Sequence, residues 1–296
     1  MIAMDARARV SLRSGLAGRL RRACASLVDA WLPATCVVCG SECTDGMCPE
    51  CEAALPGRSA MRCARCGLAW PRSDALSRPD APPAVSAPPR EDGWQDPLCP
   101  GCEADPPGFS ATVVLADYAP PLDRLVHALK FGRDAALAPP LGRALARRLE
   151  AARPDAAPPA APGEPGPPIV TAIPLSVARL AGRGFNQSLE IARALARARR
   201  LPLDHRLLTR TRAGMPASTL HAGERRVALA GAFTAPRPLG ARTVIVVDDV
   251  MTTGATLRAA ADALRAAGAA RVINCVVART PQSDARRDRS RRTGLP

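Results

Sequence analysis

The sequence is poor in aromatic residues and in lysine, and it contains no long apolar run. Phenylalanine, tryptophan and tyrosine together make up 3% of the 296 residues, and Lys130 is the one lysine. No apolar segment approaches the roughly 20 residues that a membrane-spanning helix needs. The first residues carry arginines but also Asp5 and Asp29, and they lack the apolar core of a secretory signal. We therefore expect a cytoplasmic protein without a transmembrane segment.

The positive charge is carried almost entirely by arginine, and the formal net charge is +14. Such an excess favours polyanionic partners, single-stranded DNA among them. Much of it lies near the chain ends, in 7–22 and 286–292, and the abundance of alanine, proline and glycine is equally typical of compositional drift. Because aromatic side chains are few, contact with nucleic acid would depend on phosphate groups rather than on base stacking.

Cysteine, in contrast, is abundant: eleven are many for a protein of a reducing compartment. Cys24, Cys43 and Cys275 stand alone, and the others form the Cys-x-x-Cys pairs Cys36/Cys39, Cys48/Cys51, Cys63/Cys66 and Cys99/Cys102. A single pair would equally fit a redox motif, but this set fits two tetrahedral sites of four thiolates each. We predict two structural Zn²⁺ ions, one bound by the first two pairs and one by the last two. An interleaved pairing is also compatible with the sequence.

Composition and periodicity divide the chain into four parts. Residues 1–30 are predicted to contain an amphipathic helix, and residues 31–108 to form a double zinc ribbon. Residues 109–281 alternate strand and helix patterns, with a flexible insertion predicted at 152–168. The arginine-rich tail 282–296 is predicted to be disordered.

Within the third part, apolar runs that suit buried strands alternate with segments of helical periodicity. The predicted strands are Thr112–Asp117, Ile169–Ile173, Val244–Asp248 and Val272–Ala278. The predicted helices are Leu122–Lys130, Leu137–Ala151, Asn186–Arg200 and 255–267. Strands that alternate with helices form parallel sheets, so we expect an α/β fold.

The segment from Thr243 to Thr256 carries the clearest chemical pattern. A run of β-branched residues ends in Asp248 and Asp249, and a turn of hydroxyl and small residues leads into the last helix. Two carboxylates at a strand end suit the hydroxyls of a ribose, or a metal ion, and N–H groups at a helix start favour phosphate. The pattern therefore indicates a pentose 5-phosphate site. The simpler interpretation is a buried strand before a capped helix; a P-loop is excluded because no Gly-Lys-Ser/Thr follows.

A second candidate site follows the predicted strand 169–173. Arg179 and Arg183 are four residues apart, and Gly184-Phe185-Asn186-Gln187 then opens a helix. Guanidinium groups suit pyrophosphate because they donate hydrogen bonds in a planar fork. The alternative is an exposed basic loop before an ordinary asparagine helix cap.

These motifs occur in an order that resembles the ComF family, phosphoribosyltransferase-like proteins with an N-terminal zinc ribbon. The order is the Cys-x-x-Cys pairs, Leu129–Gly132, Ile173–Leu175, Arg179–Gln187, Gly231–Phe233 and Val247–Thr256. The resemblance implies a type I phosphoribosyltransferase-like parallel sheet flanked by helices, with a small zinc-ribbon domain. It also implies a role in natural competence and DNA uptake, with single-stranded DNA and competence proteins as candidate partners.

The resemblance further implies roles for the site residues. Asp248 and Asp249 would hold the ribose 2- and 3-hydroxyls of phosphoribosyl diphosphate, or of a nucleotide. The 5-phosphate would be bound by the turn residues Thr252, Thr253, Gly254, Ala255 and Thr256. The pyrophosphate, with Mg²⁺, would be bound by Arg179, Arg183 and Lys130.

The sequence departs from the family pattern between residues 209 and 233. The usual glutamine is missing from Gly214–Leu220, and Ala228 stands where the family has asparagine. Three functions therefore stay open at this stage. The protein is a phosphoribosyltransferase that displaces pyrophosphate with an unidentified acceptor, a module that binds ligand and single-stranded DNA without turnover, or a zinc protein with a vestigial site.

Overall fold

The computed structural model describes residues 34–58, 61–69, 98–152, 166–211 and 231–281. The chain forms two compact units, residues 1–51 and residues 52–296. The predicted N-terminal helix, the basic tail, most of the insertion at 152–168 and the departures at 214–228 lie outside the described residues. These features stay predictions, as do the boundaries at 31–108 and 109–281.

In the first unit, the described residues form a short strand pair and a tight turn between cysteines. Strands β1 (Ala34–Thr35) and β2 (Glu42–Cys43) pair in antiparallel register, and helix α1 (Pro49–Ala53) begins at the end of the unit. The Cys36 N–H donates to the Ser41 carbonyl at 2.7 Å, and the Gly40 N–H donates to the Cys36 carbonyl at 2.8 Å. These two hydrogen bonds close the turn that contains Cys39.

The second unit contains a four-stranded sheet in which all neighbouring strands run parallel. The strands of this unit are β3 (Ala111–Asp117), β4 (Ile169–Ala172), β5 (Thr209–Arg210), β6 (Phe233–Thr234), β7 (Thr243–Met251) and β8 (Arg271–Arg279). The order in the sheet is β3-β8-β7-β4, and β5 pairs with β6 in a separate two-stranded sheet. The central strands β7 and β8 are buried on both faces, which is why their sequences are nearly continuous apolar runs.

Helices flank the sheet. In this unit they are α2 (Pro100–Ala104), α3 (Leu122–Phe131), α4 (Ala138–Ala152), α5 (Val177–Arg183), α6 (Gln187–Ala198) and α7 (Ala255–Ala266). Val244 and Val246 share an apolar cluster with Leu257 and Leu264 of α7, whereas α4 and α6 pack against each other and against the sheet. The predicted α/β fold is confirmed. None of the helices in the described ranges has the length and apolar character required to cross a bilayer.

Two elements differ from the prediction in ways that matter for the site. Strand β7 continues past Asp248 to Met251, because Met251 is still paired in register with Arg279 of β8. The segment of Arg179 and Arg183, expected as a loop, is helix α5, whose cap Ser176 accepts a hydrogen bond from the Arg179 N–H at 3.4 Å. The other predicted strands and helices lie where expected, with ends shifted by one or two residues.

Candidate functional site

Asp248 and Asp249 lie near the carboxyl end of β7, and neighbouring side chains hold both carboxylates. The Ser188 hydroxyl, at the start of α6, donates to Asp248 Oδ1 at 2.9 Å. The backbone N–H of Asp249 donates to the same oxygen at 3.0 Å. Lys130, near the end of α3, places its Nζ 3.0 Å from Asp249 Oδ1. Groups from β7, α3 and α6 therefore fix the orientation of the carboxylate pair.

The pair carries less negative charge than two solvated aspartates would. Burial, together with the neighbouring Asp249 carboxylate, raises the pKa of Asp248 to about 7, although the Ser188 hydrogen bond and Lys130 act in the opposite direction. Asp249 is only 8% exposed and is paired with Lys130. Near neutral pH, the Asp248 carboxyl can both donate and accept hydrogen bonds. This capacity suits sugar hydroxyls, which also do both.

The turn after β7 leads into the N-terminus of α7. Gly254 caps this helix with φ +80°, in the left-handed region, and the Arg258 N–H donates to its carbonyl at 2.8 Å. A Cβ atom at this position would lie 2.5 Å from Met251 Cε, so a side chain would displace the methionine. Thr252 and Thr253 are exposed. Because N–H groups in the first turn of a helix have no partner within it, this accessible start can accept an anion.

The structure gathers the three predicted pyrophosphate ligands only in part. Arg183 donates to Gln187 Oε1 at 3.0 Å, and its guanidinium lies 5.5 Å from the centroid of the Phe131 ring. The residue before Phe131 is Lys130, which pairs with Asp249. Arg183 is therefore connected to the carboxylate pair through Phe131 and Lys130. Arg179 is exposed on α5, which buries no residue.

The sequence patterns do not indicate two further residues at this edge of the sheet, Ser188 and Arg279. Ser188 directly follows the Gly-Phe-Asn-Gln motif, but nothing in the motif shows that its hydroxyl reaches Asp248. Arg279 ends the apolar strand β8 and is 6% exposed. Its guanidinium donates to the carbonyls of Met251 and Thr252 in the turn. The sequence signal that could have pointed to Arg279 is a charged residue at the end of an otherwise apolar strand.

The eight paired cysteines form two clusters, and their geometry fits zinc. One cluster contains Cys36, Cys39, Cys48 and Cys51, and the other contains Cys63, Cys66, Cys99 and Cys102, with all four sulfurs of each within 4.8 Å of one another. Four sulfurs at about 2.3 Å from a tetrahedral Zn²⁺ stand about 3.8 Å apart. The Sγ atoms of Cys39 and Cys48 are 3.8 Å apart, and those of Cys66 and Cys99 are 3.7 Å apart. The sequential pairing is confirmed, and the interleaved pairing is wrong.

The thiols of the second cluster show why a cation suits it. Hydrogen bonding from Cys102 and then from Cys66 lowers the pKa of Cys63, and the interaction with Cys63 raises the pKa of Cys102. The protein alone therefore stabilises one thiolate at the expense of its neighbours, and a bound metal ion allows all four to ionise. A backbone donor also fits a thiolate, since the Cys99 N–H lies 3.2 Å from Cys63 Sγ.

The fold and these sites define a class of protein, and family comparisons agree with it. The family model of the phosphoribosyl transferase domain matches residues 186–295, which include α6, β7, α7 and β8. The family model of the double zinc ribbon domain matches residues 27–80. The protein thus combines a phosphoribosyltransferase-type domain with zinc-binding cysteine clusters.

Relatives along most of the chain narrow the class to one family. The DNA utilization protein YhgH of Escherichia coli O157:H7 is 38% identical over 174 residues, which cover 59% of this chain and 74% of that protein. Its counterpart in Escherichia coli K12 is 37% identical over the same share of each chain. The protein of that name in Salmonella typhi is 33% identical over 227 residues, 77% of this chain and 87% of that one. The chain belongs to the ComF family.

Proposed function

We propose that the second unit binds the ribose 5-phosphate half of phosphoribosyl diphosphate, or of a nucleotide. The observation that carries this proposal is a fixed carboxylate pair, Asp248 and Asp249, directly before an accessible helix start. Sugar hydroxyls donate hydrogen bonds to carboxylates, and phosphate accepts them from the N–H groups of the turn 252–256. Both ends of a ribose 5-phosphate would therefore meet complementary groups on one strand–turn–helix segment.

The same arrangement suits the displacement of pyrophosphate at the anomeric carbon of the ribose. In that reaction positive charge develops on the sugar ring, and the carboxylates of Asp248 and Asp249 would stabilise it. Arg179 and Arg183 would bind the departing pyrophosphate, with Mg²⁺ sharing its charge. Lys130 would exchange its contact with Asp249 for one with pyrophosphate, since its Nζ lies at the carboxylate pair.

We also infer a role in handling DNA in the cytoplasm. The similar proteins of Escherichia coli and Salmonella are named DNA utilization proteins, and the net charge of +14 favours a polyanionic partner. These two observations favour a second candidate function. In it, the protein holds phosphoribosyl diphosphate or a nucleotide without turnover and binds single-stranded DNA through arginine contacts, beside competence proteins.

Calorimetry with ribose 5-phosphate and with ribose tests the sugar-phosphate site. We expect the wild-type protein to bind ribose 5-phosphate and to bind ribose far more weakly, because the turn recognises the phosphate. A double variant, Asp248→Asn with Asp249→Asn, should lose this binding, whereas Asp123→Asn in the first turn of α3 should keep it. An unchanged affinity in the double variant would contradict the assignment.

Incubation with labelled phosphoribosyl diphosphate and a panel of nucleobases separates the two candidate functions. Release of pyrophosphate with formation of a coupled product identifies an enzyme. Saturable binding without release identifies a binding module.

A further inference from the structure

The second cysteine cluster packs directly on the sheet that carries the candidate site. The turn between Cys63 and Cys66 lies along β3, where the Thr112 hydroxyl donates to the Arg65 carbonyl at 2.6 Å. The Thr112 N–H donates to the Ala64 carbonyl at 3.1 Å. Gly67 has φ +66°, and a Cβ atom there would lie 2.4 Å from Val114 Cγ2. Only glycine permits so close an approach between this turn and the strand.

Arg279 joins this turn to the turn of the candidate site. Its Nε donates to the Cys66 carbonyl at 3.0 Å. Its Nη1 donates to the Met251 carbonyl at 3.1 Å and also to the Thr252 carbonyl. One guanidinium therefore spans the backbone of a metal-ligand residue and the backbone directly before Thr253.

The charge of Arg279 is as informative as its hydrogen bonds. In the part of the chain that the structure describes, its guanidinium donates hydrogen bonds to carbonyl oxygens, and the Cys66 and Cys99 thiols of the cluster are the acidic side chains that interact with its charge. A buried guanidinium is unfavourable without a counter-charge. Four thiolates around one Zn²⁺ carry a formal charge of about −2, so the loaded cluster would supply that counter-charge. The charge and the hydrogen bonds of Arg279 thus both point to the cluster.

A second contact joins the same two parts. Arg258, in the first turns of α7, donates to the Asp105 carbonyl at 3.0 Å and to the Pro106 carbonyl at 3.3 Å. These carbonyls directly follow α2, the helix that carries Cys102. One end of the turn–helix segment 251–258 is therefore held by Arg279, which also binds the Cys66 carbonyl, and the other end is held by residues that follow the helix of Cys102.

We propose that Arg279 is a positioning residue that couples the second cysteine cluster to the turn 251–254. Metal in this cluster fixes the Cys66 carbonyl and the charge that Arg279 needs, and Arg279 in turn fixes the carbonyls of Met251 and Thr252. The first cluster belongs to the other compact unit and serves as the control. The predicted effect on ligand binding rests on the proposed function, whereas the predicted effect on the turn does not.

Hydrogen exchange on full-length variants tests the coupling. Cys102→Ser removes a ligand of the second cluster, and Cys39→Ser is the matched control in the first. In Cys102→Ser, amides in 251–258 should exchange at least about tenfold faster than in wild type, the loss expected for charge-assisted hydrogen bonds. The same amides should be unchanged in Cys39→Ser. Exchange in the centre of β7 should stay slow in both, which a general loss of stability would not allow.

If Cys102→Ser fails to fold, Arg279→Met still tests the coupling, because the Arg279→Met variant keeps all the zinc ligands. It should retain both metal ions and still loosen 251–258, and Arg279→Lys should restore part of the protection. Equal protection of 251–258 in wild type and Arg279→Met, or equal loosening by Cys39→Ser, would overturn the proposal. Calorimetry with ribose 5-phosphate completes the test: affinity should fall at least about tenfold in Arg279→Met. If the wild type does not bind ribose 5-phosphate, the proposed function fails, and the exchange pattern still decides the coupling.

Discussion

Replacing Asp248 with asparagine should stabilise the fold at pH 8 while it weakens binding at the proposed ribose 5-phosphate site. Burial and the neighbouring Asp249 raise the pKa of Asp248 from 3.8 to about 7, so its ionised form destabilises the folded state. At about 1.4 kcal/mol for each pKa unit, the cost is about 4 kcal/mol once the carboxyl is fully ionised. Asparagine keeps the shape of the side chain and an acceptor for Ser188, and it carries no charge.

The sign of the pH dependence follows from the same pKa. Because the folded-state pKa of Asp248 is raised, the folded protein retains a proton that the unfolded chain releases above about pH 4. The stability of the wild type should therefore fall as pH rises through the window from about 4 to 7. Between pH 5 and pH 8 this carboxyl alone should lower the free energy of unfolding by about 3 kcal/mol. Asp248→Asn should lack this part of the pH dependence.

Urea unfolding followed by circular dichroism at pH 5 and pH 8 measures the effect. The quantity of interest is the change in unfolding free energy between the two pH values, compared between wild type and Asp248→Asn. Contributions from the cysteine clusters are the same in both proteins and cancel. Asp123→Asn is the control and should behave as the wild type. Parallel pH dependence of the wild type and Asp248→Asn would refute the reasoning, because it would mean that burial of Asp248 carries no net cost.

Three further predictions follow from the clusters, the turn and the charge. Metal analysis should find about two zinc ions per chain, since each set of four thiolates suits one ion, and a single ion would leave one cluster unexplained. Gly254→Ala should lower stability by about 1–2 kcal/mol because its φ is left-handed and should weaken ribose 5-phosphate binding. Gly182→Ala on α5 meets no atom within 4 Å and should do neither; equal urea midpoints for the two variants would contradict this. Affinity for a single-stranded oligonucleotide should fall with salt at a log–log slope of about −0.7 per phosphate contact, less steeply without residues 282–296, and binding indifferent to salt would exclude the electrostatic account.

The strands of the four-stranded sheet and the longer helices of the second unit could be predicted because their signals are local. β7 and β8 lie in the centre of the sheet, so residues on both of their faces are buried and the sequence shows continuous apolar runs. The order of the strands has no such local signal, because β3 pairs with β8 across most of the domain. The end of β7 was placed too early for the same reason. Asp248 and Asp249 interrupt the apolar run, and the pairing of Val250 with Ala278 and of Met251 with Arg279 continues the strand beyond them.

The residues of the candidate site also fall into a group that the sequence predicts and a group that it does not. Asp248, Asp249 and the turn after them stand together in the sequence, so their residue types and spacing were enough to predict a sugar-phosphate site. The cysteines show their chemistry through spacing, although the sequential pairing depends on the folded chain. Ser188 and Arg279 act through contacts with Asp248 and with backbone carbonyls, which no spacing rule describes. Sequence reasoning therefore reaches groups that would touch a ligand, and misses the groups that hold them.

The carboxyl edge of β7 and β8 contains charged groups that a stable fold would not select. Asp248 is buried beside Asp249, and Arg279 is buried against carbonyl oxygens on the neighbouring strand. Burial disfavours the charged form of both side chains. Local rules of stability are broken in this way mainly where a site has to be held ready for a ligand. The turn at Gly254 lies between these groups in the chain, so the buried charges border the segment that would bind the sugar phosphate. This concentration of buried charge favours a working binding site over a vestigial one.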